Sequence, residues 1–351
     1  MNDLKAIYIQ HKGKSSDKWS IYLDVYERIL SSRRDEIMNV LEIGVQNGGS
    51  LEIWSKYFPL AKNLIGCDIN PDCAKLKYDN SAVQIVIGNS SLPKIKDEII
   101  SRSSSFDLII DDGSHTSSDI IKGFLQYFPL INDGGIYIIE DLHASYWENF
   151  EGGLHYPYSS MAFLKKLADV TNYEHWGVKK SPKDYLSPFF EFYDCKELDV
   201  VDYYGIHSVC FINSLCIIEK KKTEKNILGP RYVTGDEWSV FSNNKESQGL
   251  NIKCIPQNKN IWSNFNTFPE MEWKDLIEKN QALEKEYSKL RMKNDAYRIE
   301  MEEKTKELAM DLSVKNKMLD ALSDTNFQLL NSTSWKITKP LRVMMNIIKR
   351  K

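Results

Sequence analysis

Three short segments hold the residues best suited to chemistry: VLEIGVQNGGSLEIW (Val40–Trp54), LIIDDGSH (Leu108–His115) and IYIIEDLHASYW (Ile136–Trp147). Each begins as an apolar run and ends in acids, glycines or histidines. A buried parallel strand that delivers functional groups to the carboxyl edge of a sheet has this pattern. The first burst suits a nucleotide-like ligand. The other two bring Asp111, Asp112, Glu140 and Asp141 toward one place, together with His115 and His143. Converging carboxylates repel one another unless a cation joins them. Oxygen ligands of this kind suit Mg2+. A metal there lowers the pKa of a bound hydroxyl, and a histidine can take its proton. The residue set therefore points to metal-assisted group transfer rather than to simple binding.

The glycines are read as a cofactor loop. Glu42, Gly44, Gly48 and Gly49 form E-x-G-x-x-x-G-G, followed by Ser50. A nicotinamide-binding loop would read G-x-G-x-x-G. Here Gln46 stands at its second glycine and an acid precedes the turn. That favours S-adenosylmethionine (SAM), whose amino-acid end lies near such a loop. Asp68 ends the next strand, where a carboxylate can accept both ribose hydroxyls. Gly88-Asn89-Ser90 follows the third strand, where an adenine edge is met. The plainer reading is that the glycines serve only a strand–helix turn.

These tips need a sheet. Strands are expected at Asn39–Ile43, Asn63–Cys67, Val83–Ile87, Phe106–Ile110 and Gly135–Ile139. Helices are expected at Lys18–Leu30, Ser50–Phe58, Pro71–Tyr78, Leu92–Ser101 and Ser117–Phe128. Such alternation implies right-handed βαβ units and a parallel sheet covered on both faces. Ser208–Ile212 and Leu215–Glu219, joined by Asn213-Ser214, read as a closing antiparallel hairpin. The expected fold is α/β, doubly wound, mostly parallel and Rossmann-like, the outline of class I methyltransferases. His207 opens the hairpin and His155 lies in a Gly-rich loop. His207 reads as structural, and His155 as a plain loop residue, with a substrate lid as its alternative.

Bulk properties set limits. The chain has 351 residues, 42% of them hydrophobic, and a net charge of −3. No global basic field or base-methylation motif is present, which excludes a nucleic-acid substrate. The six cysteines form no CxxC pair and read as buried thiols of a reducing compartment. No run reaches the roughly 18–20 apolar residues of a spanning helix. The opening MNDLKAIYIQHKGK lacks a signal-peptide core. A cytoplasmic location is expected.

Residues 1–37 read as a helical lead-in or lid, 38–222 as the catalytic domain, and 223–272 as an irregular or β appendage. Residues 273–330 repeat Leu276, Leu283, Leu290 and Tyr297 every seven positions, with Tyr287, Met301 and Leu308 on a second seam. That predicts a coiled coil and a homo-oligomer, although Asn280, Asn294 and Lys304 also fall on the seam. A solvated single helix is the alternative. Residues 331–351 contain six Lys/Arg and no acid. Pro340 can open a helix, on which Leu341, Met344, Met345 and Ile348 share a face. This basic amphipathic end reads as a contact with the inner membrane surface or a partner protein, or as a frayed tail.

LEIGVQNGGS, FDLIIDDGSH and GGIYIIEDLHASYW resemble the metal-dependent macrocin and mycinamicin type O-methyltransferases, over about residues 10–222. Cephalosporin hydroxylase-like proteins share that fold. The resemblance implies SAM and Mg2+, with Asp112, Glu140 and Asp141 as metal ligands and His115 as general base. Asp111 then stands behind them, structural or on the cofactor side. His143 is a second base, a substrate contact or a strand-end histidine. KSSDKWSIY resembles the family's lead-in over the cofactor, with Ser15-Ser16 in place of Gly-Thr, and puts Lys18 there. NSTSWKITKPLR resembles C-terminal segments of bacterial surface-polysaccharide enzymes. It shifts the implied acceptor from a macrolide sugar to a lipid-linked glycan, with a glycosyltransferase as possible neighbour. The alternative enzyme reading is a natural-product sugar O-methyltransferase of macrolide type, and a polysaccharide scaffold without catalysis is the competing class.

Overall fold

The computed structural model describes residues 3–198, 200–237, 239–240, 242–260, 263 and 270–349. The chain divides into two compact units, Met1–Glu270 and Met271–Lys351.

Unit one is built on seven strands: β1 Asn39–Ile43, β2 Asn63–Asp68, β3 Val83–Ile87, β4 Phe106–Asp111, β5 Ile131–Ile139, β6 Ile206–Ile212 and β7 Leu215–Lys220. They lie in the order β3-β2-β1-β4-β5-β7-β6. The first five are parallel, and β7 runs antiparallel between β5 and β6. Order reverses between β1 and β4, the point where an open α/β sheet forms a ligand crevice. The registers Ile43↔Asp111 and Asp111↔Ile139 put the tips of β1, β4 and β5 side by side.

Central strands are apolar on both sides because helices cover both faces. Val40, Leu41, Leu64, Ile65, Leu108 and Ile109 are fully buried. The helices are α1 Leu4–Ile9, α2 Ser20–Leu30, α3 Gly49–Tyr57, α4 Pro93–Arg102, α5 Ser117–Tyr127, α6 Ser160–Val170 and α7 Pro182–Phe192. Stacked and edge-on rings knit α3 to α2 through Trp54, Phe58 and Tyr26. Phe163 joins Phe124 of α5 to Phe189 of α7.

Several boundaries differ from expectation. The segment expected as a helix at Pro71–Tyr78 is one short 3-10 turn, Pro71–Lys75, capped by Asn70. β5 begins at Ile131, four residues early, because a register shift opposite Phe106–Leu108 absorbs the Asn132–Gly134 corner. The 223–272 region has no strand among its described residues, which hold short 3-10 turns and, from Glu270, the start of a long helix. Cys210 and Cys254 are exposed, while the other four thiols are buried. Among the described residues all cysteines are free.

Unit two is a helix of 62 residues, Glu270–Asn331, then two short helices, Thr333–Ile337 and Lys339–Lys349. Among the described residues no helix is long and apolar enough to cross a membrane.

Candidate active site

A cleft of about 380 Å³ opens at the carboxyl edge of the sheet. Its floor is the β1–α3 loop. Gly44 has φ +93, and a Cβ there would run into the carbonyl oxygen of Asp112. Gly48 has φ +80 and passes under the Tyr78 hydroxyl. Gln46, between them, takes φ +50, a left-handed conformation uncommon outside glycine. Asp68 holds this loop open: its Oδ2 accepts from the Val45 and Gln46 N–H groups at 2.8 and 2.9 Å, and its Oδ1 accepts from Asn70. Burial alone would raise the Asp68 pKa, but these N–H groups outweigh it and hold the carboxyl below the usual range.

Gly44, Ser50, Asp68, Asn89 and Ser90 line the cleft. Gly49 lies behind it and donates to the Ser15 carbonyl at 3.1 Å, which fastens the lead-in over α3. Glu42 is fully buried and is braced by the Ser50 hydroxyl at 2.6 Å. It supports the loop from below rather than facing the cavity.

At the other end of the cleft, Asp112, His115 and Asp141 each offer a ligand atom, all within 4.8 Å of one another. His115 and Asp141 both have positive φ, +59 and +52. Strain of this kind is kept where surrounding structure over-determines it, commonly at functional sites. The Asp141 Oδ1 accepts from the Tyr22 hydroxyl at 2.7 Å and the Trp19 indole at 3.1 Å. Its Oδ2 lies 3.7 Å from His115 Nε2. Burial lowers the His115 pKa against the opposing pull of Asp112 and Asp141.

Glu140 is buried beside this cluster. One oxygen accepts from the Tyr26 hydroxyl at 2.5 Å and from Lys18 at 2.8 Å. Lys18 also pairs with Asp112, and Glu42 lies 4.0 Å from it. Burial works against the ammonium charge, but Glu140, Asp112 and Glu42 outweigh it and raise the Lys18 pKa. Asp111 also lines the cleft though it is nearly buried, is bonded by Tyr137 at 3.2 Å, and burial pushes its pKa up to about 7.

His143 lies off the cavity. Its Nδ1 meets the Ser214 hydroxyl at 2.6 Å, and Trp19 and Trp147 stand edge-on to its ring at 6.0 and 4.9 Å. Both tryptophans are more than half exposed. His155 is an exposed loop residue, and His207 bonds Asn226 at 2.8 Å. The residue-pattern reading passed over Tyr22, Tyr26 and Asp119. Asp119 lines the cleft and takes the Ser114 hydroxyl at 2.5 Å.

The donors fit a hard divalent cation. They are mostly carboxylate oxygens, and the buried acids here already gather a cation, the Lys18 ammonium. Three carboxylates meeting without positive charge would not stay ionised.

No family model matches the chain. It is 36% identical over 177 residues to the 8-demethyl-8-alpha-L-rhamnosyl tetracenomycin-C 2'-O-methyltransferase of Streptomyces olivaceus, covering 47% of this chain and 45% of that protein. It is 33% identical over 198 residues to the mycinamicin VI 2''-O-methyltransferase of Micromonospora griseorubida, covering 53% and 46%. The chain thus spans less than half the length of either relative. Among solved structures, the MycE methyltransferase with Mg, SAH and mycinamycin VI superposes with a TM-score of 0.51 at 25% identity. That match covers 64% of this chain and 54% of MycE. By sheet order, crevice and these likenesses, the chain carries the class I methyltransferase fold and is similar to the sugar O-methyltransferases of glycosylated natural products.

Proposed function

We propose that this chain is a SAM- and Mg2+-dependent O-methyltransferase that modifies a sugar hydroxyl. The observation that carries the reading is the convergence of Asp112, His115 and Asp141 at one end of a glycine-floored cleft. Asp112 and Asp141, with Glu140 as a third oxygen donor, would hold the ion. Imidazole suits softer metals better than Mg2+, which leaves His115 for proton transfer. When bound, Mg2+ lowers the pKa of a sugar hydroxyl and SAM supplies the methyl group. His115 receives the hydroxyl proton, a role that burial favours by lowering its pKa. Asp68, Asn89 and Ser90 face the ribose and adenine end, and Gly44 lets the backbone approach the ligand.

The acceptor side is framed by Trp19 and Trp147 around His143. Exposed indole faces suit the apolar faces of a sugar ring. Both named relatives act on sugars of glycosylated natural products, which favours that acceptor class over a surface polysaccharide. A lipid-linked glycan is the second reading, favoured only by the basic amphipathic helix of unit two.

The test is labelled SAM with a rhamnosylated polyketide and a lipid-linked glycan as parallel acceptors. Label should enter the polyketide sugar, and EDTA should abolish it. His115→Ala should keep SAM binding by calorimetry and lose at least about 10²-fold in kcat. Full turnover by that variant would remove His115 as the base.

A further inference from the structure

The helix Lys339–Lys349 sorts its side chains without exception. Lys339, Arg342, Asn346 and Lys349 recur at three- and four-residue steps and form one narrow polar strip. Leu341, Val343, Met344, Met345, Ile347 and Ile348 occupy the rest of the circumference, each at least 53% exposed. Within unit two nothing described covers this face. The charge is equally one-sided. From Thr325 to Lys351 there are six Lys/Arg and no acid, in a chain of net charge −3. From the first turn of the helix Arg342 reaches back, stacking 3.5 Å over the Trp335 ring and bonding Thr338 at 2.7 Å. This makes a paired aromatic and cation of the kind found at headgroup level.

We propose that this helix docks on an anionic lipid surface, lying in the plane of the bilayer. Its 11 residues span roughly 16 Å, about half of a hydrocarbon core, so it rests in the interface and does not cross it. The apolar face is much wider than the stripe a helical partner needs, and it is bordered by cations alone. A protein groove is disfavoured on that ground. The inference does not depend on the methyl-transfer reading.

The test is co-sedimentation of the full chain with vesicles of phosphatidylcholine, alone or with about one-third phosphatidylglycerol. Binding to the anionic vesicles should be tighter by roughly tenfold or more, and should weaken as salt is raised. Met344→Glu with Ile348→Glu should return the chain to the supernatant while SAM binding stays unchanged. Lys339→Glu with Lys349→Glu should lose the anionic preference. Equal pelleting of parent and Met344→Glu/Ile348→Glu protein would overturn the proposal, as would equal affinity for both vesicle types. So would a parent that ignores vesicles yet sediments as a larger particle that Met344→Glu/Ile348→Glu splits, since another copy would then cover the face.

Discussion

Lys18 is the hinge of the site at the residue scale. Its side chain is 5% exposed, and it joins Asp112 and Glu140, with Glu42 at 4.0 Å. Removing one member of a buried ion network strands the rest, at a cost of about 3–5 kcal/mol. Lys18→Met should therefore lower stability by that order in urea titration at neutral pH. Added Mg2+ should shrink the loss, because a divalent cation beside Asp112 and Glu140 balances the same charges. An unchanged midpoint would mean the acids are already neutral. Asp111 gives a second handle. Its carboxyl titrates at 3.8 ordinarily and near 7 in the fold. Between those values the folded state binds more protons, so Asp111's contribution to stability declines as pH rises from about 4 to about 7. Asp111→Asn removes that decline and should gain on the parent across this window in Mg2+-free buffer. A difference that stays flat with pH would sink the assignment. The roles of these residues were unequally legible in sequence. The acids at strand ends announce themselves. The Tyr26 hydroxyl does not, because Tyr26 reads as one more apolar position on α2, and its partner Glu140 lies 114 residues away.

Elements decide what those residues can reach. Five apolar runs ending in acid or glycine were enough to place the tips, since buried parallel strands leave few other ways to read them. What the pattern could not supply was length and cover. α6 and α7 pack Phe163, Phe189 and Phe190 into the core, yet α7 contains Pro188, a residue that reads as a helix stop. Pro71–Lys75 failed as a full helix because Asn70 and Pro71 start a turn that Leu76 ends in an extended conformation. The β1–α3 loop is the element most sensitive to change. Gly44→Ala adds a Cβ against the Asp112 carbonyl at φ +93. The backbone strain alone costs about 1–3 kcal/mol, and relief would push β1 and β4 tips apart. Gly113→Ala, whose Cβ would meet Ile43 at 3.3 Å without a positive φ, should cost less. Thermal unfolding compares the two, and calorimetry should find SAM binding lost only in Gly44→Ala. Equal effects would mean the loop tolerates a shift at its first glycine.

At the scale of the whole molecule the question is what the long helix does for unit one. Glu270–Asn331 shows Leu283, Leu290 and Tyr297 at seven-residue spacing, each 61–65% exposed in the single chain. A stripe of that kind gains by meeting another helix, since burying apolar area contributes about 25 cal/mol per Å². Lys304 on this seam, and Asn280 and Asn294 on the second seam with Tyr287, Met301 and Leu308, weaken the association and restrict its register. The heptad spacing was visible in the sequence, but strand number was not, because that depends on packing between copies. We expect the full chain to form a homo-oligomer whose mass, by light scattering, falls to that of one copy when Met271–Lys351 is removed. The site lies wholly within unit one, on strand tips and lead-in residues from Ser15 to Asp141. The shortened protein should therefore keep its kcat and KM on a free glycosylated natural product. A monomeric full chain would make the long helix a solvated spacer. A collapse of kcat on that acceptor after truncation would mean a second copy, or unit two itself, completes the site. Loss confined to a vesicle-bound acceptor would instead give unit two the task of bringing unit one to its substrate.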